Sequence, residues 1–199
     1  MSATLSRREG LFAATDGPDA RLVEFTPFPK ISRWNREVIV TEKIDGTNAA
    51  VVVTEEGRVL AQSRKRLITP EDDNFGFARW VAGHEDELRE LGAGVHFGEW
   101  WGQGIQRGYG LDHKRFSLFN AKRWHAPERP LCCHVVPVLA HASTPEQGII
   151  RSAAVSLKLH GSVAAPGFDR PEGIVIFHTA ANQMFKVTLE DDEKPKGQA

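Results

Sequence analysis

At 199 residues, with 41% hydrophobic and 26% charged side chains, the chain has the composition of a globular protein and the length for one full core. Its 25 Lys and Arg stand against 26 Asp and Glu, a formal charge of −1. That excludes binding a polyanion by bulk charge, so any nucleic-acid contact must come from a local basic patch.

The first 37 residues carry short apolar patches (Leu22-Val23, Phe25, Phe28) broken by Pro18, Pro27 and Pro29, which predicts extended segments and turns. Met1 to Gly10 lacks the apolar centre of a signal peptide, and no apolar run approaches a membrane span, so a cytoplasmic location with no membrane partner is expected. Next come two strand-like runs, Val38-Ile39-Val40 and Ala49 to Val53, with the polar octet Thr41 to Asn48 as the loop between them. Asp45 and Gly46 form a turn pair that fixes where Lys43 points. Two readings of Lys43 stand at this point: a nucleophilic amine, which must shed its proton to attack, or an ordinary surface lysine on an Asp-Gly hairpin.

Ala49 to Val53 and Val59 to Gln62 bracket Glu55-Glu56-Gly57-Arg58 as a hairpin, which delivers the cations Arg64, Lys65 and Arg66. Phe77, Trp80, Val81, His84, Leu88 and Leu91 recur every three or four residues, predicting a helix from Asp72 to Leu91 with acids near its start. In Val95-His96-Phe97-Gly98-Glu99, alternation places Val95, Phe97 and Glu99 on one inward face, where a carboxylate needs a partner. Trp100 and Trp101 read either as base-stacking rings or as core. Gln103 to Asp112 is glycine-rich and reads as a mobile surface loop; it lacks the ending of a phosphate loop. Phe116 to Asn120 and Cys132 to Ala140 read as strands, Pro145 to His160 as a helix, and Ile174 to Phe177 with Met184 to Val187 as a hairpin. The adjacent Cys132 and Cys133 suit neither a mutual disulfide nor a paired zinc site and read as buried thiols. Residues 190–199 read as a charged, flexible tail. Arg107, Lys114, Arg115, Lys122 and Arg123, with Arg64 to Arg66, read either as a basic surface or as scattered, solvated surface cations.

Glu42-Lys43-Ile44-Asp45-Gly46-Thr47-Asn48 resembles the nucleotide-accepting motif of the covalent nucleotidyltransferases, and its Gly-Thr-Asn ending is most similar to the ATP-dependent RNA ligase branch. Further elements follow in the family's order over about residues 38 to 188: Ser63-Arg64, Phe97-Gly98-Glu99, the Phe116 to Asn120 strand, Glu172-Gly173, and Phe185-Lys186-Val187. The resemblance implies an α+β fold, an ATP-grasp-like nucleotidyltransferase domain of antiparallel β-sheets with flanking helices. It implies a single adenylation domain over residues 1–199, without a C-terminal OB or accessory domain. Lys43 is then the nucleophile that takes AMP from ATP, and Arg64 and Lys186 the phosphate-facing cations. Glu42, Ile44, Asn48, Glu99, Phe119 and Lys186 fall to nucleotide binding, and Glu172 to a magnesium or manganese ion. The implied partner is RNA with 5′-phosphate and 3′-hydroxyl ends, including a nicked duplex, with an accessory protein as a further expected partner. The sequence departs from the pattern at Asn120, where relatives usually carry an acid, and around Lys186, where the second lysine of the family is replaced by Met184 or Thr188. Those departures keep open an adenylate- or RNA-binding module without turnover, beside a DNA ligase or capping-type enzyme.

Overall fold

The computed structural model describes residues 11–13, 22–24, 27–124, 128–190 and 192. Two compact units are distinguished, residues 1–32 and 33–199. In the first, β1 (Leu11–Ala13) pairs antiparallel with β2 (Leu22–Glu24), in keeping with the extended segments the prolines predict. Phe25 lies outside the described residues, as does residue 191 and everything past 192 of the expected flexible tail.

The second unit holds two sheets. The smaller has the order β10 (Val138–Ala142), β3 (Val38–Lys43), β11 (Gly173–His178), β12 (Gln183–Thr188), all antiparallel. Its inward positions Val38, Val40, Ile174 and Ile176 pack against Ala153 and Leu157 of α3 (Gln147–His160). The larger sheet runs β6 (Leu67–Ile68), β5 (Val59–Ser63), β4 (Thr47–Val53), β7 (Gly94–Gly102), β8 (Lys114–Leu118), β9 (Cys133–Val135), with only β8 and β9 parallel. Val51, Val53, Ala61, Trp100, Phe116 and Leu118 on one of its faces bury Phe77, Val81, Leu88 and Leu91. A third cluster, Ile44, Trp101, Tyr109, Val136 and Ala165, joins the two sheets.

Several expectations change. The octet is not a loop between paired strands: Lys43 ends β3, Thr47 begins β4, and the two strands belong to different sheets. The ordinary hairpin reading of Lys43 is thereby overturned. The predicted helix is broken into α1 (Phe77–Gly83), α2 (Glu85–Leu88) and a 3₁₀ turn (Arg89–Leu91). Gly83 weakens the helix there, and the His84 imidazole bonds the Trp80 carbonyl at 2.8 Å, taking the acceptor an α-helical amide would use. The apolar stripe survives the break because each piece turns the same residues inward. Asp73 serves the helix start as expected of an acid, accepting from the Ala78 amide at 2.7 Å.

The strand read through Cys132 to Ala140 splits at Val136-Pro137, where proline has no amide for a ladder; β9 joins one sheet and β10 the other. Val95 and Phe97 share a face with Glu99 but remain 47% and 57% exposed, so only the Glu99 end of that face is covered. The glycine-rich stretch is not a mobile surface loop. Ile105 and Tyr109 are buried within it, and Arg107 ties it to Asp45 at 3.1 Å and to the Arg170 carbonyl at 2.9 Å. Cys133 is buried and Cys132 half-buried, both as free thiols. No helix among the described residues is long and apolar enough to cross a membrane.

Candidate active site

The chain crosses from one sheet to the other in three residues, Ile44, Asp45 and Gly46, and this crossing sets the site. Ile44 is buried in the cluster between the sheets, so it anchors the crossing through packing. The Asp45 amide donates to the Tyr109 hydroxyl at 2.8 Å, while its carboxylate pairs with Arg107. A Cβ on Gly46 would lie 2.5 Å from the Trp100 carbonyl oxygen and 2.7 Å from the Trp101 Cβ, so only glycine lets the backbone lie against β7. The Gly46 amide is then held by Glu99 at 3.0 Å.

Lys43 emerges from this frame with its Nζ 2.5 Å from Glu172 Oε2. Glu172 is 4% exposed, just ahead of β11. Lys43 stands opposite Gly173 on the neighbouring strand, and Gly173 stands opposite Thr188. A Cβ at Gly173 would collide with the Val187 carbonyl, so glycine also permits this strand pairing. Thr41 and Lys186 flank Val175 in the adjoining row. Directly opposed residues point to one face of a sheet, so Lys186 shares the face of Lys43, about 12 Å away across two strand spacings and two residues along the strand.

Glu99 lies in a row across the larger sheet with Asn48 and Ser117 as neighbours. Its carboxylate accepts from Asn48 Nδ2 at 3.2 Å as well as from Gly46. Burial raises its pKa to about 7; Lys43 and the Gly46 amide oppose the shift, and the carboxylates of Glu172 and Asp45 reinforce it. The two acids and the lysine therefore feel one another's charge. Arg64 follows β5 immediately after Ser63, which pairs with Ala49, so Arg64 stands at the Asn48 end of the sheet. It is exposed and, among the described residues, makes no hydrogen bond or ion pair.

Glu42 and Phe119 fall differently. Glu42 is 1% exposed on the face of β3 away from Lys43, and accepts from Ser162 Oγ at 2.5 Å and from the Val163 and Ala164 amides at 2.8 Å each. Burial raises its pKa, with those three bonds opposing. Its side chain thus pins the turn after α3 to the strand that carries Lys43. Phe119 follows β8 and packs, half-buried, against the cluster between the sheets. Asn120, the departure from the family pattern, accepts from the Arg123 amide at 3.0 Å and closes a turn.

Tyr109 and Ser162 are the residues that the sequence reading missed. Tyr109 is the only tyrosine in the chain and is set between glycines. Only its burial at 2% and its bond to Asp45 reveal a role. Burial drives its hydroxyl pKa well above the ordinary value, so it stays a neutral partner for the amide.

The expected basic surface is largely engaged within the molecule. Arg107 holds Asp45, Lys114 the Phe75 carbonyl at 2.7 Å, Lys122 Glu37 at 3.2 Å, and Arg123 the Leu91 carbonyl at 3.0 Å. Arg115 bonds His113 at 2.9 Å, and Arg66 pairs with Asp72.

No group of three or more His, Cys, Asp or Glu side chains able to hold a metal occurs among the described residues. Glu172 nevertheless offers a buried hard oxygen donor beside Lys43. That donor suits a cation such as magnesium, which takes one or two carboxylates and fills its shell with water and substrate phosphate.

A two-sheet α+β frame with a lysine at the strand end where the sheets meet, backed by buried acids, defines a nucleotidyltransferase-like fold. The family model described as RNA ligase matches residues 36–188, and the chain belongs to that family. Solved structures of Naegleria gruberi RNA ligase share the fold. One, a lysine-to-methionine mutant with AMP and Mn, aligns with a TM-score of 0.56 at 19% identity over 78% of this chain and 50% of that one. Another, a lysine-to-alanine mutant with ATP and Mn, gives 0.57 at 18% identity over 81% and 52%. The chain therefore spans about half the length of these relatives. A comparison with curated proteins gives no match.

Proposed function

We propose that this chain is an ATP-dependent RNA ligase that works through a covalent lysine-AMP. The observation that carries the reading is the setting of Lys43, fixed at a strand end and held by Glu172 2.5 Å away, with Glu99 close enough to shift in its field. In the proposed reaction, the Lys43 amine loses its proton and its nitrogen attacks the α-phosphorus of ATP. The N–P bond forms as the bond to pyrophosphate breaks. Arg64 and Lys186 neutralise phosphate charge, Asn48 and Glu99 face the nucleotide sugar, Phe119 and Ile44 back the base, and Glu42 holds the strand in position. A divalent ion held by Glu172 would add neutralising charge at the phosphates. The relatives solved with AMP or ATP and Mn support both the nucleotide and the ion. AMP then passes to an RNA 5′-phosphate, and a 3′-hydroxyl displaces it to seal the strand.

The test is covalent labelling by α-labelled ATP, followed by transfer to a 5′-phosphorylated RNA. Lys43→Ala should lower labelling more than about a thousandfold, and Lys43→Arg should fail as well because guanidinium stays protonated. Undiminished labelling of both variants would remove Lys43 from the chemistry. The internal engagement of Arg107, Lys114, Arg115, Lys122 and Arg123 favours a second reading, an adenylating module that needs a partner to hold RNA. Full lysine-AMP formation with no sealing of a nicked duplex at any salt concentration would select it.

A further inference from the structure

With the cations of residues 107–123 engaged, a different place in the fold offers charge to a nucleic acid. The chain has five tryptophans. Trp100, Trp101 and Trp124 are buried and Trp80 is half-buried, whereas Trp34, four residues ahead of β3, is 64% exposed. Its backbone is fixed. His178, itself 3% exposed, donates from Nε2 to the Trp34 carbonyl at 2.7 Å and accepts the Ala181 amide on Nδ1 at 3.1 Å. The Glu37 carbonyl accepts from the Thr179 amide and hydroxyl, each at 3.0 Å. The indole lies 5.8 Å from the His178 ring, tilted by 30°.

In sequence the ring is flanked by cations. Arg33 makes no hydrogen bond or ion pair among the described residues, and the Arg36 guanidinium bonds only the adjacent Asn35 carbonyl at 2.7 Å. The nearby acid, Glu37, is occupied by Lys122 and His141, each at 3.2 Å. A protein-docking patch would need apolar neighbours; the exposed Ile31 and Phe28 lie three and six residues ahead, while the residues that flank the ring, Arg33, Asn35 and Arg36, are charged or polar. An aromatic platform between cations is the arrangement that binds single strands, with the ring stacking a base and the cations following the backbone.

We propose that Arg33, Trp34 and Arg36 form a stacking site for single-stranded RNA, separate from the nucleotide pocket. The inference rests on the RNA ligase reading and adds where that protein grips its strand. Lys43 ends β3, and the Trp34 carbonyl is held at its start by His178, which stands opposite Val38, so about 17 Å of strand separates the two. The site therefore holds RNA away from the reacting end.

The experiment titrates the full chain with a 12-nucleotide oligoadenylate bearing a 5′-hydroxyl, which cannot accept AMP at that end. The part of the intrinsic fluorescence that Trp34→Ala removes reports on the exposed indole, and anisotropy of a dye-labelled copy gives affinity. Wild type should show saturable quenching, and Trp34→Ala should bind about tenfold more weakly. Trp34→Phe should fall between them, and Arg33→Ala with Arg36→Ala should flatten the dependence of log affinity on log salt by about one to two. Self-adenylation of Trp34→Ala should match wild type, which also verifies its folding. For AMP transfer to a 12-nucleotide 5′-phosphorylated strand, the variant should raise KM and leave kcat unchanged. Equal RNA affinity of Trp34→Ala and wild type would overturn the proposal, as would inorganic polyphosphate quenching the indole as strongly as RNA, or an indole that responds only to a protein partner. Absence of ATP labelling in wild type would instead refute the ligase reading, and the RNA titration tests the stacking site independently of it.

Discussion

Replacing Glu99 by glutamine isolates the electrostatic strain that burial places beside Lys43. Burial lifts the Glu99 carboxyl from an ordinary 4.5 to about 7. Below pH 4.5 the folded and unfolded chains both hold this proton; between 4.5 and 7 the folded chain alone keeps it; above 7 both have lost it. Folding stability must therefore fall as pH rises through that window and level off beyond it. At roughly 1.4 kcal/mol per pH unit, the fall attributable to Glu99 is about 3 kcal/mol. Glu42, also raised by burial, adds a slope of the same sign, which the variant retains. Glutamine preserves the shape and an acceptor for the Gly46 amide, and it does not ionise. Glu99→Gln should thus match wild type near pH 5 and exceed its stability near pH 8 by up to about 3 kcal/mol, less about 1 kcal/mol for a poorer contact with Asn48. Urea unfolding midpoints of both proteins from pH 5 to 8 give the comparison directly. Two curves that run parallel would refute the assignment of a raised, buried carboxyl to Glu99.

Two further substitutions probe the frame around Lys43. Tyr109→Phe leaves the Asp45 amide without its 2.8 Å partner, so stability should drop by about 1–3 kcal/mol. Labelling by ATP should fall too, because the crossing that aims Lys43 is loosened; unchanged stability and labelling would show the hydroxyl to be dispensable. Glu172→Ala removes the carboxylate from a pair in which Lys43 is 19% and Glu172 5% exposed at the side chain. It should cost about 3–5 kcal/mol of stability and abolish self-adenylation in magnesium, measured at a temperature where circular dichroism shows the variant folded. Retention of full labelling would take Glu172 out of the site.

Local patterns in the sequence determined the elements whose partners are close in the chain. The hairpins of β4 with β5 and β11 with β12, the helix α3, and the Asp45-Gly46 turn are all legible because periodicity and turn chemistry act over a few residues. The order Lys43, Arg64, Glu99, Glu172, Lys186 was legible as well, and so was the family it resembles.

The tertiary structure alone decided which strand pairs with which. Nothing local in Val38–Lys43 and Thr47–Val53 assigns them to separate sheets, yet that separation turns an Asp-Gly turn into the crossing that aims Lys43. Alternation likewise put Val95, Phe97 and Glu99 on one face without saying where along the strand that face is covered. At that end Trp101 joins a buried cluster with Ile44, Tyr109 and Val136, drawn from separated segments. The fate of Glu42 is the plainest case. Its place beside Lys43 in the motif assigns it to the nucleotide, but strand alternation turns its side chain to the opposite face, where Ser162 and two amides from a turn 120 residues away satisfy it. A buried carboxylate must find donors wherever packing brings them, and packing over that sequence distance is written in no local pattern.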